Sequence, residues 1–178
     1  MKKLLMLMLV LVFALTGCGS SESEKSSGNE KPAATEKTSE KDNKKLVESY
    51  FKEINTHFTA IQDFGIAFDA LRTSSANGEI DNATFGERIY TDLVPVAVDL
   101  VAKVEAVKVP TDEVKGIHEK IISMLNKNHQ ALLEIVAGVN ANDMSKITEA
   151  NEILADARKL EREVVEESTK LAEKYGIK

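Results

Sequence analysis

Three histidines stand where a helix would bury them. His57, His118 and His129 each fall in the apolar register of a helical segment, and Glu161 and Ser168 do the same near the C-terminus. Neutral imidazole is the commonest metal ligand, and a carboxylate can complete a nitrogen and oxygen donor set. His57, His118 and Glu161 are therefore candidates for a small interhelical ligand site. Counting outward from the turns places His57 near the level of Asp99, Ile121 and Glu161, with His118 about one turn away. Two imidazoles can also clamp a haem iron between helices. His129 lies eleven residues from His118, about 16 Å along a helix axis, so those two cannot share one ion.

The other reading of the same residues is a polar layer in the core, each imidazole holding one hydrogen bond and packing its other edge. Diiron bundles place Glu-x-x-His pairs on two helices, and the chain contains no Glu-x-x-His. It also lacks Cys-x-x-Cys, Cys-x-x-Cys-His and His-Glu-x-x-His, so no metal and no cofactor is expected. Tyr50, Phe51, Phe58, Phe64 and Phe68 crowd one segment. They suit a core, or one wall of an apolar interhelical pocket in which Phe58 and Phe64 would join the histidines. Gly65 in that stripe suggests a close helix contact or a small cavity. No Gly-x-Ser-x-Gly, no phosphate-cradling glycine loop and no supported carboxylate pair is present, so a non-enzymatic protein is expected.

Helices must position these side chains. From Asp42 the apolar residues recur at steps of three and four: Val47, Tyr50, Ile54, His57, Ile61, Phe64, Phe68 and Leu71. A turn is expected over Ser74 to Asp81, around Asn77-Gly78. The second helix starts near Asp81, or at Thr84 with Glu87 as a capping box, and runs to about Lys108 on a stripe of Tyr90, Leu93, Ala97, Leu100, Val104 and Val107. Pro95 lacks the amide hydrogen that would bond the Thr91 carbonyl, which predicts a kink or break there. The alternation Val94, Val96, Val98 also suits a strand, but no partner strand is found elsewhere, so helix is expected. Thr111 is placed to cap a third helix carrying His118, Ile122, Leu125, His129, Leu132, Val136 and Val139. A turn over Gly138 to Asn142 follows. Asp143 caps the fourth helix, whose stripe runs Ile147, Ala150, Leu154, Ala157, Glu161, Val164, Ser168, Leu171 and Tyr175 to a stop at Gly176. Four long helices joined by short turns predict an all-α, antiparallel up-down-up-down four-helix bundle over residues 42–178, about 40 Å long. The run Glu161, Glu163, Glu166, Glu167 among Arg158, Lys159, Arg162 and Lys170 reads as a solvated face paired along its own helix.

Composition limits the partners. The 178 residues carry a net charge of −6, and loss of Lys2 and Lys3 with an N-terminal signal makes it more negative. Such a balance argues against nucleic acid and against anionic surfaces. The N-terminus has a secretory layout: Met1-Lys2-Lys3, an apolar run from Leu4 to Leu15, then Thr16-Gly17-Cys18. That run is shorter than the roughly 20 residues a membrane span requires. Leu15, Thr16, Gly17 and Cys18 resemble the lipobox of bacterial lipoproteins, and Cys18 is the only cysteine of the chain. The resemblance implies cleavage after residue 17 and attachment of diacylglycerol, with palmitate-type acyl chains, to the Cys18 sulfur. Two or three acyl chains suffice for stable anchoring.

Residues 19–41 contain no Val, Ile, Leu, Met, Phe or Tyr. Such a stretch cannot bury enough apolar surface to order itself, so 18–41 is expected to be a flexible tether reaching roughly 25 to 30 Å. In layout the chain resembles small helical lipoproteins of Gram-positive cell surfaces. That resemblance implies a protein anchored in the cell membrane on its extracytoplasmic face, and it transfers no functional residue other than Cys18. The expected function is a non-enzymatic module for protein interaction. The alternative is a sensor or carrier that binds a small ligand, metal or haem in an interhelical pocket.

Overall fold

The computed structural model describes residues 40–177. These form α1 (Glu40–Ala76), α2 (Asn82–Arg88), a π-helical turn (Ile89–Leu93), α3 (Val94–Glu105), α4 (Asp112–Ala141) and α5 (Met144–Tyr175). The segments α2, π-turn and α3 make one interrupted rod, giving four rods in an all-α bundle, with no strand among the described residues. Contacts between rods fix their directions. The Lys44 ammonium at the start of α1 donates to the Gly176 carbonyl just past the end of α5. Tyr50 of α1 meets His118 in the first turns of α4, so α1 runs parallel to α4 and antiparallel to α5, which is the expected up-down-up-down order. The predicted signal segment 1–17, Cys18 with its lipobox residues Leu15, Thr16 and Gly17, and the tether up to residue 39 lie outside the described residues.

Each rod starts and stops for a local reason. The Asp81 carboxylate accepts from the Thr84 amide at 2.8 Å and caps α2, so the Thr84 and Glu87 capping box is not used. Asp143 caps α5 by accepting from the Ser145 amide at 2.9 Å. Thr111 occupies the N-cap of α4, but its hydroxyl makes no capping bond and is buried without a partner. There the acidic first turn, Asp112 and Glu113, complements the helix dipole instead. Gly176 ends α5 in the left-handed conformation.

Several boundaries differ from expectation. Glu40 and Lys41, assigned to the tether, already belong to α1, whose 37 residues span roughly 55 Å. Nothing in that stretch stops a helix, and Glu40 and Asp42 suit its first turn. Gly138 is not in a turn. It is a buried helical residue at the α4–α5 corner, where an added Cβ would come within 2.8 Å of Ile147 Cδ1 and 3.0 Å of the Asp143 carbonyl. Its missing side chain lets the two helices close on each other, and the turn itself is made by Asn142 in the left-handed region. Gly65, by contrast, has open space where a Cβ would be, so it marks no close helix contact.

The break expected at Pro95 is a wider turn placed just before it. The Val94 amide donates to the Ile89 carbonyl, five residues back, and Pro95 enters the first turn of α3, where a missing amide hydrogen costs no helical bond. A turn closed at five residues holds one residue more than an α-turn. One turn before Leu93 therefore comes Ile89, which is fully buried, and Tyr90 is 60% exposed. This corrects the expected stripe, which put Tyr90 in the core. Val94, Val96 and Val98 are helical.

The core is continuous through the bundle, with Val47, Tyr50, Ile54, Leu100, Val104, Ile121, Leu125 and Leu132 almost wholly buried. Ion pairs set the register of α4 against α5. Lys120 reaches Glu163 at 2.9 Å and Glu167 at 2.5 Å, Lys127 reaches Asp156 at 3.0 Å, and Lys146 reaches Glu134 at 2.9 Å. Glu113 receives both Lys174 and the Tyr175 hydroxyl. Of the acidic run expected to pair along its own helix, Glu166 does so with Lys170 at 2.6 Å, whereas Glu163 and Glu167 hold Lys120 of the neighbouring rod.

Candidate functional site: a polar core layer and an interhelical cleft

His118 and Ser168 are buried polar residues of the core, 5% and 2% exposed. The Lys120 pairs with Glu163 and Glu167 bring Ser168 to the level of His118, and Tyr50 arrives at that level from α1. The Tyr50 hydroxyl lies 3.4 Å from His118 Nδ1. The two groups share one hydrogen bond whose direction follows the imidazole tautomer, and burial holds the phenol protonated far above its ordinary range. Burial pushes the His118 pKa down, against the smaller opposing pull of Glu119 and Glu105. The result is a neutral imidazole stapled to a phenol between two rods, an arrangement suited to orienting α1 on α4.

The other proposed members of that site stand apart from it. His57 is half-buried and lies seven residues from Tyr50 along α1, roughly 10 Å, or two turns. Glu161 is half-buried and seven residues from Ser168 along α5. The ion pairs Lys120–Glu163 and Lys127–Asp156 put Glu161 level with about residue 122 of α4, roughly one turn from His118. Burial pushes the Glu161 carboxyl up, partly offset by Arg162 and Arg158. Among the described residues no group of three or more His, Cys, Asp or Glu side chains could hold a metal ion. His129 is half-buried on α4. Phe64 is buried in the core and Phe58 packs against it, so both fill space in the bundle interior.

A cleft does open elsewhere, on the outer side of the α2–α4 contact. It is a half-open groove of about 340 Å³ lined by Ala83, Gly86, Glu87, Tyr90, Val136 and Asn140. Its geometry has two causes. Gly86 lets α2 approach α4 so closely that an added Cβ would meet Val139 Cγ1 at 3.0 Å. The π-turn then swings Tyr90 off the core and along the cleft wall. Leu133, one turn before Val136 on the same side of α4 and 40% exposed, continues the apolar surface. Glu87 and Asn140 are the polar and charged side chains of this lining besides the Tyr90 hydroxyl. Sequence reasoning placed Glu87 in a capping box, Tyr90 and Val136 on apolar stripes and Asn140 in a turn, and gave none of them a part in a site. The available signals were a glycine inside a helical pattern at Gly86 and a proline two turns later, which together mark a close approach followed by a register break.

No helix among the described residues is long and apolar enough to cross a membrane. Comparison with protein-family models, curated proteins and solved structures finds no match to this chain.

Proposed function

We propose that this protein is a lipid-anchored binding module, held at the extracytoplasmic face of the cell membrane through Cys18 and engaging a protein partner with the α2–α4 face of its bundle. The observation that carries the reading is the exposure of Tyr90 beside Val136 and Leu133 at the edge of a cleft. Side chains of this kind, clustered and rimmed by polar groups, are what protein interfaces bury. A bundle whose described histidines form no ligand cluster, and whose buried polar pair is used for packing, supports a scaffold role over chemistry in the core. The anchor and tether supply the location in this reading: acyl chains on Cys18 retain the protein at the membrane, and the polar segment before α1 holds the bundle clear of the headgroups.

The test replaces Leu133 by Lys, alone and with Tyr90→Ala, and compares partners retained from native membranes after mild crosslinking. Both positions are exposed, and circular dichroism checks that the helices persist. Loss of a specific partner with the double variant supports the reading, and an unchanged partner set overturns it for this face.

A further inference from the structure

We propose that the α2–α4 cleft takes the arginine side chain of a polypeptide partner. The inference rests on the reading of this face as a protein-binding surface and names what the surface recognises. The cleft brings three kinds of lining residue together: the apolar Ala83, Gly86 and Val136, the aromatic Tyr90, and Glu87 and Asn140, whose side chains carry hydrogen-bond acceptors. An aliphatic stem packs on the first, a planar cation stacks on the second, and a fork of N–H donors meets the third. Arginine alone among side chains combines these properties.

Charge argues for the same occupant. Glu87 has no ion-pair partner among the described residues, and its chain neighbour Arg88 is engaged elsewhere. Arg88 bonds Asp92 at 3.2 Å on the next turn. The carboxylate at the rim thus stays uncompensated within a chain of net charge −6. A basic partner is attracted over distance and anchored locally by the same group. The π-turn is what makes the site. An unbroken α-helix would carry Tyr90 into the core with Leu93 and remove the aromatic wall.

The experiment titrates the full chain in detergent micelles with a capped pentapeptide containing one arginine among Gly and Ser. The amide of Gly86 and the side-chain amide of Asn140 are followed by NMR. The citrulline peptide, which keeps the shape without the charge, and free arginine serve as separate arms. Saturating shifts with the arginine peptide are expected, weakened at least tenfold by Glu87→Gln and by Tyr90→Leu and kept within twofold by Tyr90→Phe, with no saturation by citrulline. The proposal is overturned by absent saturation, by equal binding of the citrulline peptide, or by indifference to both disruptive substitutions. Equal affinity for free arginine would make the cleft a small-molecule site and overturn it as well. The peptide titration needs no native partner. Its failure with a partner still lost on Leu133→Lys removes the arginine assignment alone, whereas an unchanged partner set removes the functional reading without bearing on the titration.

Discussion

The Tyr50 hydroxyl meets Nδ1 of His118 at 3.4 Å, with the two rings edge-on and their centroids 5.9 Å apart. This one contact ties α1 to α4 inside the core. It determines which level of the long first helix faces the start of the third rod, at a place where burial pushes the imidazole pKa down. Removing the hydroxyl would leave a buried ring nitrogen without a partner, so Tyr50→Phe should lower stability by about 1 to 2 kcal/mol in urea unfolding.

The same histidine makes stability depend on pH. The unfolded imidazole takes a proton near pH 6.5, whereas burial holds the folded value lower. Between the two values the unfolded chain binds more protons, so stability is complete above about 6.5 and falls as pH drops toward the folded value. The slope is at most about 1.4 kcal/mol per pH unit. Urea unfolding of the wild type and of His118→Gln across this window should give a steeper loss for the wild type. Parallel profiles would remove His118 as the cause.

Glu161 works in the opposite direction. Burial raises its folded pKa above the unfolded carboxylate value, so its ionised form opposes folding at neutral pH and protonation relieves the cost. Glu161→Gln should raise the Tm at pH 7, and the gain should shrink as pH falls through the raised folded value toward the ordinary carboxylate range. A gain independent of pH would show that packing, not ionisation, is responsible.

Two glycines of α1 and α4 should respond with opposite signs. Gly65 has open space at the Cβ position, so Gly65→Ala should stabilise by about 0.5 to 1 kcal/mol. At Gly138 the same methyl group collides with Ile147 and the Asp143 carbonyl, and Gly138→Ala should destabilise by about 1 to 3 kcal/mol. Denaturant midpoints of the two variants check both signs in one experiment.

For the anchor, Cys18→Ser should move the protein from the membrane fraction to the medium, because one serine cannot carry the acyl chains. Retention in the membrane after that change would require another means of attachment.

Most of the fold was legible because three of the four rods are uninterrupted. On α5 the expected stripe is buried at Ala150, Leu154, Ala157, Val164, Ser168, Leu171 and Tyr175 and half-buried at Ile147 and Glu161, since an unbroken period of 3.6 carries register over many turns. The second rod was read correctly from Leu93 onward. Before it, the π-turn adds one residue, exchanging buried Ile89 for exposed Tyr90, and periodicity has no way to announce such an insertion. The pairing of His118 with Tyr50 was equally hidden. Each residue was placed on its own apolar stripe, but which stripe residues meet depends on the axial offset and rotation between helices, set by the packing of the whole core. The cleft depends on both effects at once, a close approach at Gly86 and the displaced Tyr90, so it became visible only in three dimensions.

The most direct measurement of the central claim is photo-crosslinking on intact cells from an unnatural side chain installed at position 133 beside the cleft, compared with one at exposed Asp69 on α1. The account predicts a discrete crosslinked protein from position 133 that is absent from position 69 and is lost when Tyr90→Ala is added. No adduct from position 133, or the same adducts from both positions, would contradict the assignment of the α2–α4 face as a binding surface.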